Sequence, residues 1–117
     1  MTQPILYGIK NCDTVKKARQ WLDANLDGYQ FHDFRADGLT EAKVQQWIDA
    51  LGLQSIVNKR STTWKQCSEY DKVRIFEPAH AAALIVANPT IIKRPVLEAA
   101  GTTQVGFNPE QYGKTFN

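Results

Sequence analysis

In "LYGIKNCDTVKKARQWL", residues 6–22, a short apolar run gives way at a cysteine to a basic amphipathic segment. Ile5 to Ile9, bounded by Pro4 and by Lys10-Asn11, has the length and composition of a buried strand. From Asp13 the period changes to three and four: Val15, Ala18, Leu22 and Leu26 recur with Lys16, Lys17, Arg19 and Asp23 between them, the pattern of an amphipathic helix. Asp27-Gly28 stops it. Aromatic-rich Tyr29 to Phe34 follows as a second strand. The chain therefore opens β-α-β, a crossover expected to be right-handed and to leave the two strands parallel. Cys12 falls at the strand-to-helix junction.

Beyond this opening, Thr40 is placed to cap a helix whose stripe is Val44, Trp47, Ile48 and Leu51 and whose end is Gly52. Residues 53–76 yield no firm boundaries; "NKRSTTWKQ" reads as a polar loop running into a helix or turn. Pro78 suits a first helical position, and Asn88-Pro89 closes that helix. Its stretch Ala81 to Ala87 is apolar nearly all round, which predicts burial against the sheet. Thr90 to Ile92, Val96 to Ala99 and Gln104 to Phe107 are short strand candidates, and Asn108-Pro109 opens a last short helix. No repeat or low-complexity segment interrupts the pattern. The expectation is an α/β fold, a small mixed sheet with helices on both faces.

A length of 117 residues suits one domain, 1–117, with enough chain to bury a core without covalent staples. The net charge of +2 is too small to point to nucleic acid. Membrane spanning is excluded because the longest apolar run, Ala81 to Ala87, falls far short of the ~18 residues a span takes. With no signal-like segment at the start, the chain reads as cytoplasmic. Two cysteines 55 positions apart form no disulfide framework, and in a reducing compartment both are thiols. Neither belongs to a CxxC or Cys/His cluster, so no metal site is expected.

Cys12 has two competing readings. A cysteine under a strand end can be buried and inert. One between a strand and a helix N-terminus is also where a thiolate, the reactive species, is most easily stabilised. The flanks Asn11 and Asp13 and the nearby Lys10, Lys16 and Lys17 favour the reactive reading. Helix-end amides stabilise an anion by roughly 0.3–1 kcal/mol, up to ~2 in favourable geometry. Lowering a thiol's pKa by two units takes about 2.7 kcal/mol. A cation is therefore needed as well, because Asp13 acts the other way. Lys10 is the local candidate, with Arg60 or Arg94 available through the fold. Cys67, in "KQCSEY", has no such placement and reads as structural or incidental.

Arginine's planar fork suits carboxylates and oxyanions. Arg60 in "VNKRSTTWK" and Arg94 in "IIKRPVLE" belong to two basic pairs that, on the residues alone, read first as solvated surface. The bond before Pro95 is expected to be trans on the same basis. His32 and His80 read as packing or surface residues. No phosphate loop, dinucleotide fingerprint, HExxH or GxSxG is present.

The segments "YGIKNCDTVKKA", "VNKRSTTWK", "ANPTIIKRPVL" and "VGFNPEQY", in this order, resemble the arsenate reductase (ArsC)/Spx family across nearly the whole chain. The resemblance is closest to its YffB-like members, described as glutathione-dependent thiol reductases. It implies a thioredoxin-like fold with an inserted helical subdomain at roughly residues 37–80. It implies too that Cys12 is the catalytic thiol, that Pro95 is a cis-proline beside it, and that Arg60 and Arg94 match two of three oxyanion-holding arginines. Two departures follow. The third arginine has no counterpart in "AAGTTQVGFNPEQY", which speaks against arsenate. The position three after Cys12 is Val15, which speaks against a CxxC oxidation switch of the Spx type. The expected activity is a thiol reductase, with catalytic Cys12 and with Lys10, Asn11, Arg60, Arg94 and Pro95 binding substrate, glutathione or oxyanion. Its co-substrate is glutathione, with glutaredoxin a further candidate partner, no tightly bound cofactor, and a monomeric state. Arsenate reduction and an Spx-like regulator binding RNA polymerase are the alternatives.

Overall fold

A computed structural model describes residues 3–117. The chain divides into two compact units: one runs to Gly38 and resumes over Arg94–Asn117, and the other is Leu39–Lys93.

The first unit is a four-stranded mixed sheet. β1 (Ile5–Gly8) is central, parallel to β2 (Gln30–Asp33) and antiparallel to β3 (Val96–Ala99), which pairs with β4 (Thr102–Val105) in the order β2-β1-β3-β4. The parallel register sets Leu6 opposite Phe31 and Gly8 opposite Asp33, and the antiparallel register sets Leu6 opposite Leu97. Side chains alternate along a strand, so one face carries Leu6, Phe31 and Leu97. That face is covered by α1 (Asp13–Asn25) and α7 (Pro109–Phe116), through Ala18, Leu22 and Tyr112, all fully buried. Helices on both faces were expected; within this unit α1 and α7 both pack on the one face. Trp21 meets Tyr112 edge-on at 5.6 Å, and Phe107 meets it at 4.9 Å. Burial pushes the Tyr112 phenol well above its usual range, and its hydroxyl donates to the Gly106 carbonyl at 3.3 Å.

Gly8 and Val15 fix where α1 sits. A Cβ on Gly8 would meet Val15 Cγ2 at 2.8 Å, and Val15 is fully buried. Valine is stiff at χ1, so the helix approaches the strand end closely only because residue 8 has no side chain.

In the second unit, Thr40 caps α2 (Glu41–Leu51) by accepting from the Lys43 amide at 3.1 Å, and Gly52 ends it at φ 83. Residues left open by the sequence form α3 (Leu53–Ile56), α4 (Thr62–Gln66) and α5 (Glu69–Arg74). Ser61 and Ser68 cap the last two. Val44 and Trp47 of α2 are buried, and α2 packs against α3 and α6 (Ala81–Ala87). A β-bridge pairs Val57, partway along the unit, with Ile92 near its end, and the Lys93 amide donates to the Ile56 carbonyl at 2.7 Å.

Four local expectations are corrected. Pro78 lies in a turn in which the His80 and Ala81 amides both donate to the Glu77 carbonyl, so α6 starts at Ala81. α6 buries only Ala81 and Ile85 fully, and Ala83 and Ala87 are exposed, because a seven-residue helix packed on α2 presents one stripe. Pro89–Ile91 is a 3-10 turn rather than a strand. β4 begins at Thr102, two residues before the expected Gln104, because Ala100 adopts φ 52 beside Gly101 at φ 75 and so closes a two-residue hairpin.

Gly8→Ala is expected to destabilise the protein by about 1–3 kcal/mol, the usual cost of overpacking a well-filled site. Urea unfolding of the two proteins, compared through midpoint and slope, measures it.

Candidate active site

The ends of three strands converge on one edge of the sheet. β1 and β2 are parallel and finish together, with Gly8 opposite Asp33. β3 starts there: Val96 lies opposite Tyr7, which puts Pro95 beside the end of β1. In open α/β sheets the region beyond the carboxyl ends of parallel strands is the usual ligand site.

Cys12 leaves this edge as the cap of α1. Its backbone is extended (φ −112, ψ 124), its carbonyl accepts the Lys16 amide at 2.9 Å, and its thiol makes no capping hydrogen bond. It is a free, half-buried cysteine. Lys10 and Asn11, which precede it, are exposed.

The loop that carries these residues is held by Asp33, which the sequence reading did not single out. Asp33 is buried, with 6% of its surface accessible. Its Oδ1 accepts from the Arg35 and Ala36 amides at 2.8 and 3.1 Å, and its Oδ2 accepts from the Lys10 amide at 3.3 Å. Its own amide donates to Asp37 Oδ2 at 2.9 Å, and the Phe34 amide donates to the Gly8 carbonyl at 2.9 Å. One carboxylate thus joins the segment after β1 to the turn after β2. Burial acts to raise the Asp33 carboxyl. The amides of Ala36, Arg35 and Lys10 and the Lys10 charge outweigh it and hold the group below the ordinary carboxylate range. The two joined segments border an open hollow of about 360 Å³ lined by Ile9, Lys10, Asn11, Asp33, Arg35 and Ala36. Asp33 was legible in principle, as a carboxylate at the carboxyl end of the second parallel strand.

Arg94 and Pro95 stand at the start of β3. The Arg94–Pro95 bond is cis, as the resemblance implied and against the expectation from the residues alone. Pro95 is buried, and its carbonyl accepts the Gly106 amide at 2.8 Å. Arg94 is half-buried in the first unit. Arg60 belongs to the second unit, exposed, its amide bonded to Asn58 Oδ1 at 3.0 Å. Cys12, Lys10, Asn11, Arg94 and Pro95 therefore share one unit, whereas Arg60 is a residue of the other.

Cys67 is also in the second unit, and its thiol donates to the Thr63 carbonyl at 3.2 Å. His32 Nε2 lies 2.7 Å from the Gly38 carbonyl, and its ring is 4.9 Å from that of Tyr7. Burial, more than the hydrogen bond that Tyr7 donates to Glu98 at 2.9 Å, pushes the Tyr7 phenol well above its usual range. His80 Nδ1 lies 3.1 Å from Arg74. Among the described residues, no cluster of three or more His, Cys, Asp or Glu could hold a metal ion, and no helix is long and apolar enough to cross a membrane.

A sheet of this order, with its helices and an interposed helical unit, defines a thioredoxin-like α/β fold. The chain belongs to the ArsC family, whose sequence model matches residues 7–115. It is similar to a solved YffB protein at 43% identity, with a TM-score of 0.91, over 98% of this chain and 100% of that one. An arsenate reductase (ArsC) related protein from Brucella melitensis is 37% identical, with a TM-score of 0.74, over 99% and 96% of the two chains. The global transcriptional regulator Spx of Lactiplantibacillus plantarum is 24% identical over 92% of this chain and 81% of its own length.

Asp33→Asn is expected to cost about 1–2 kcal/mol at neutral pH, the scale of weakened bonds to a charged acceptor. The sign in acid follows from the depressed carboxyl: the unfolded chain takes up the proton first, so wild-type stability falls with pH while the variant lacks this dependence. Denaturation curves collected from neutral pH into acid should show the gap between the two closing.

Proposed function

We propose that this chain is a cytoplasmic, monomeric thiol reductase that works through one cysteine. The observation that carries this reading is the placement of Cys12, a free and half-buried cysteine at the N-cap position of α1 where β1, β2 and β3 converge. The Cys12 thiolate attacks one sulfur of a disulfide or mixed disulfide. That S–S bond breaks, the departing thiolate takes the electron pair, and Cys12 is left in a mixed disulfide. The other cysteine, Cys67, is 55 positions away in the sequence and donates locally to the Thr63 carbonyl; an external thiol does the resolving. Glutathione attacks the adduct, forms its own disulfide with the departing group, and returns Cys12 as a thiolate. Lys10, Arg94 and Arg60 orient the anionic part of the substrate or of glutathione, and Asn11 and Pro95 border the bound thiol. No tightly bound cofactor takes part.

Membership of the ArsC family also supports an arsenate reductase, with glutaredoxin as a partner. The segment from Ala99 to Tyr112 holds no third arginine, and an oxyanion would lose one bidentate partner there. The similarity to the transcriptional regulator Spx supports a different role; in that reading the chain binds RNA polymerase and its thiol is vestigial or regulatory.

Reduced protein incubated with oxidised glutathione should gain one adduct of glutathione mass, mapped by mass spectrometry to Cys12, and Cys12→Ser should gain none there. Labelling of Cys67 alone, or no labelling, contradicts the reductase. Recovery of RNA polymerase from a lysate, equally by wild type and Cys12→Ser, is the outcome expected of the Spx-like role.

A further inference from the structure

The hollow beside the Cys12 loop holds a charged residue that no reading of the motifs selected. Its lining carries two cations, Lys10 and Arg35, and one anion, Asp33. That carboxylate already accepts from three backbone amides. Two cations against one carboxylate leave the hollow net positive, and the cations are exposed side chains on segments that Asp33 holds in place.

We propose that this hollow is the subsite for a carboxylate of the thiol joined to Cys12, and that Arg35, with Lys10, selects anionic, peptide-like thiols over neutral or cationic ones. The inference deepens the reductase reading and rests on it. Reach favours it. Lys10 is two residues from Cys12, so their Cα atoms lie within about 7 Å, and a peptide-like thiol of three residues spans about 10 Å. A sulfur bonded to Cys12 can thus carry a carboxylate into the hollow. Chemistry favours it too, because a guanidinium fork matches a carboxylate where an ammonium is only a point charge. Arg35 is fixed through its backbone, its amide donating to Asp33 Oδ1 at 2.8 Å, so its exposed side chain can change without loosening the turn.

The test uses the full chain, reduced, with three disulfides: oxidised glutathione (anionic), bis(2-hydroxyethyl) disulfide (neutral) and cystamine (cationic). The rate of Cys12 adduct formation is followed by mass spectrometry. Arg35→Gln should slow the glutathione reaction about two- to five-fold, as loss of one exposed charge pair does, and leave the neutral disulfide unchanged. Arg35→Glu should slow glutathione further and speed cystamine, Arg35→Lys should recover part of the glutathione rate, and added salt should compress all these differences. Rates that shift alike for all three disulfides, or do not shift, overturn the subsite while leaving the reductase intact. If wild-type Cys12 takes no adduct from any of the three, the reductase reading fails and the subsite falls with it.

Discussion

The contact of Val15 with the bare backbone of Gly8 decides where everything chemical in the first unit lies. A helix that buries Val15, Ala18 and Leu22 on one stripe could dock on the sheet at several heights. The missing Cβ at residue 8 lets it settle at the strand end, and the chain then turns from strand to helix within the short segment 9–12. A cysteine at the last of these positions stands at the helix mouth, where backbone amides lack intrahelical partners. Tight packing thus places a thiol, and the stiffness of a β-branched neighbour keeps it there.

Electrostatics refines that placement. Asp33 is buried, yet it stays ionised more readily than an ordinary carboxylate because three amides and the Lys10 charge outweigh its desolvation. A buried anion held in this way is a rigid acceptor. It ties the segment before Cys12 to the turn that bears Arg35, so local charge and local geometry come from the same few atoms. The role of the acid is positional.

Much of this was written in local pattern. The strand, the three-and-four stripe through Leu22, the Thr40 and Asn108 caps and the Gly52 stop all rest on interactions within a few residues, and they appear where the periodicity puts them. Residues 53–76 were illegible because their helices are four to six residues long, too short to show a period. The β4 boundary was misplaced because an alanine, not the customary asparagine or glycine, takes the left-handed turn position at Ala100.

Sequence by itself determined the β-α-β opening, the position of Cys12 at its junction and, through motif order, the family, since each of these is a property of neighbours along the chain. The fold alone decided that Asp33 is buried and bonded to the Lys10 amide, that Arg35 borders the same hollow, and which of the two arginines shares a unit with the cysteine. These depend on strand register and on contacts between residues more than twenty positions apart, which no periodicity records.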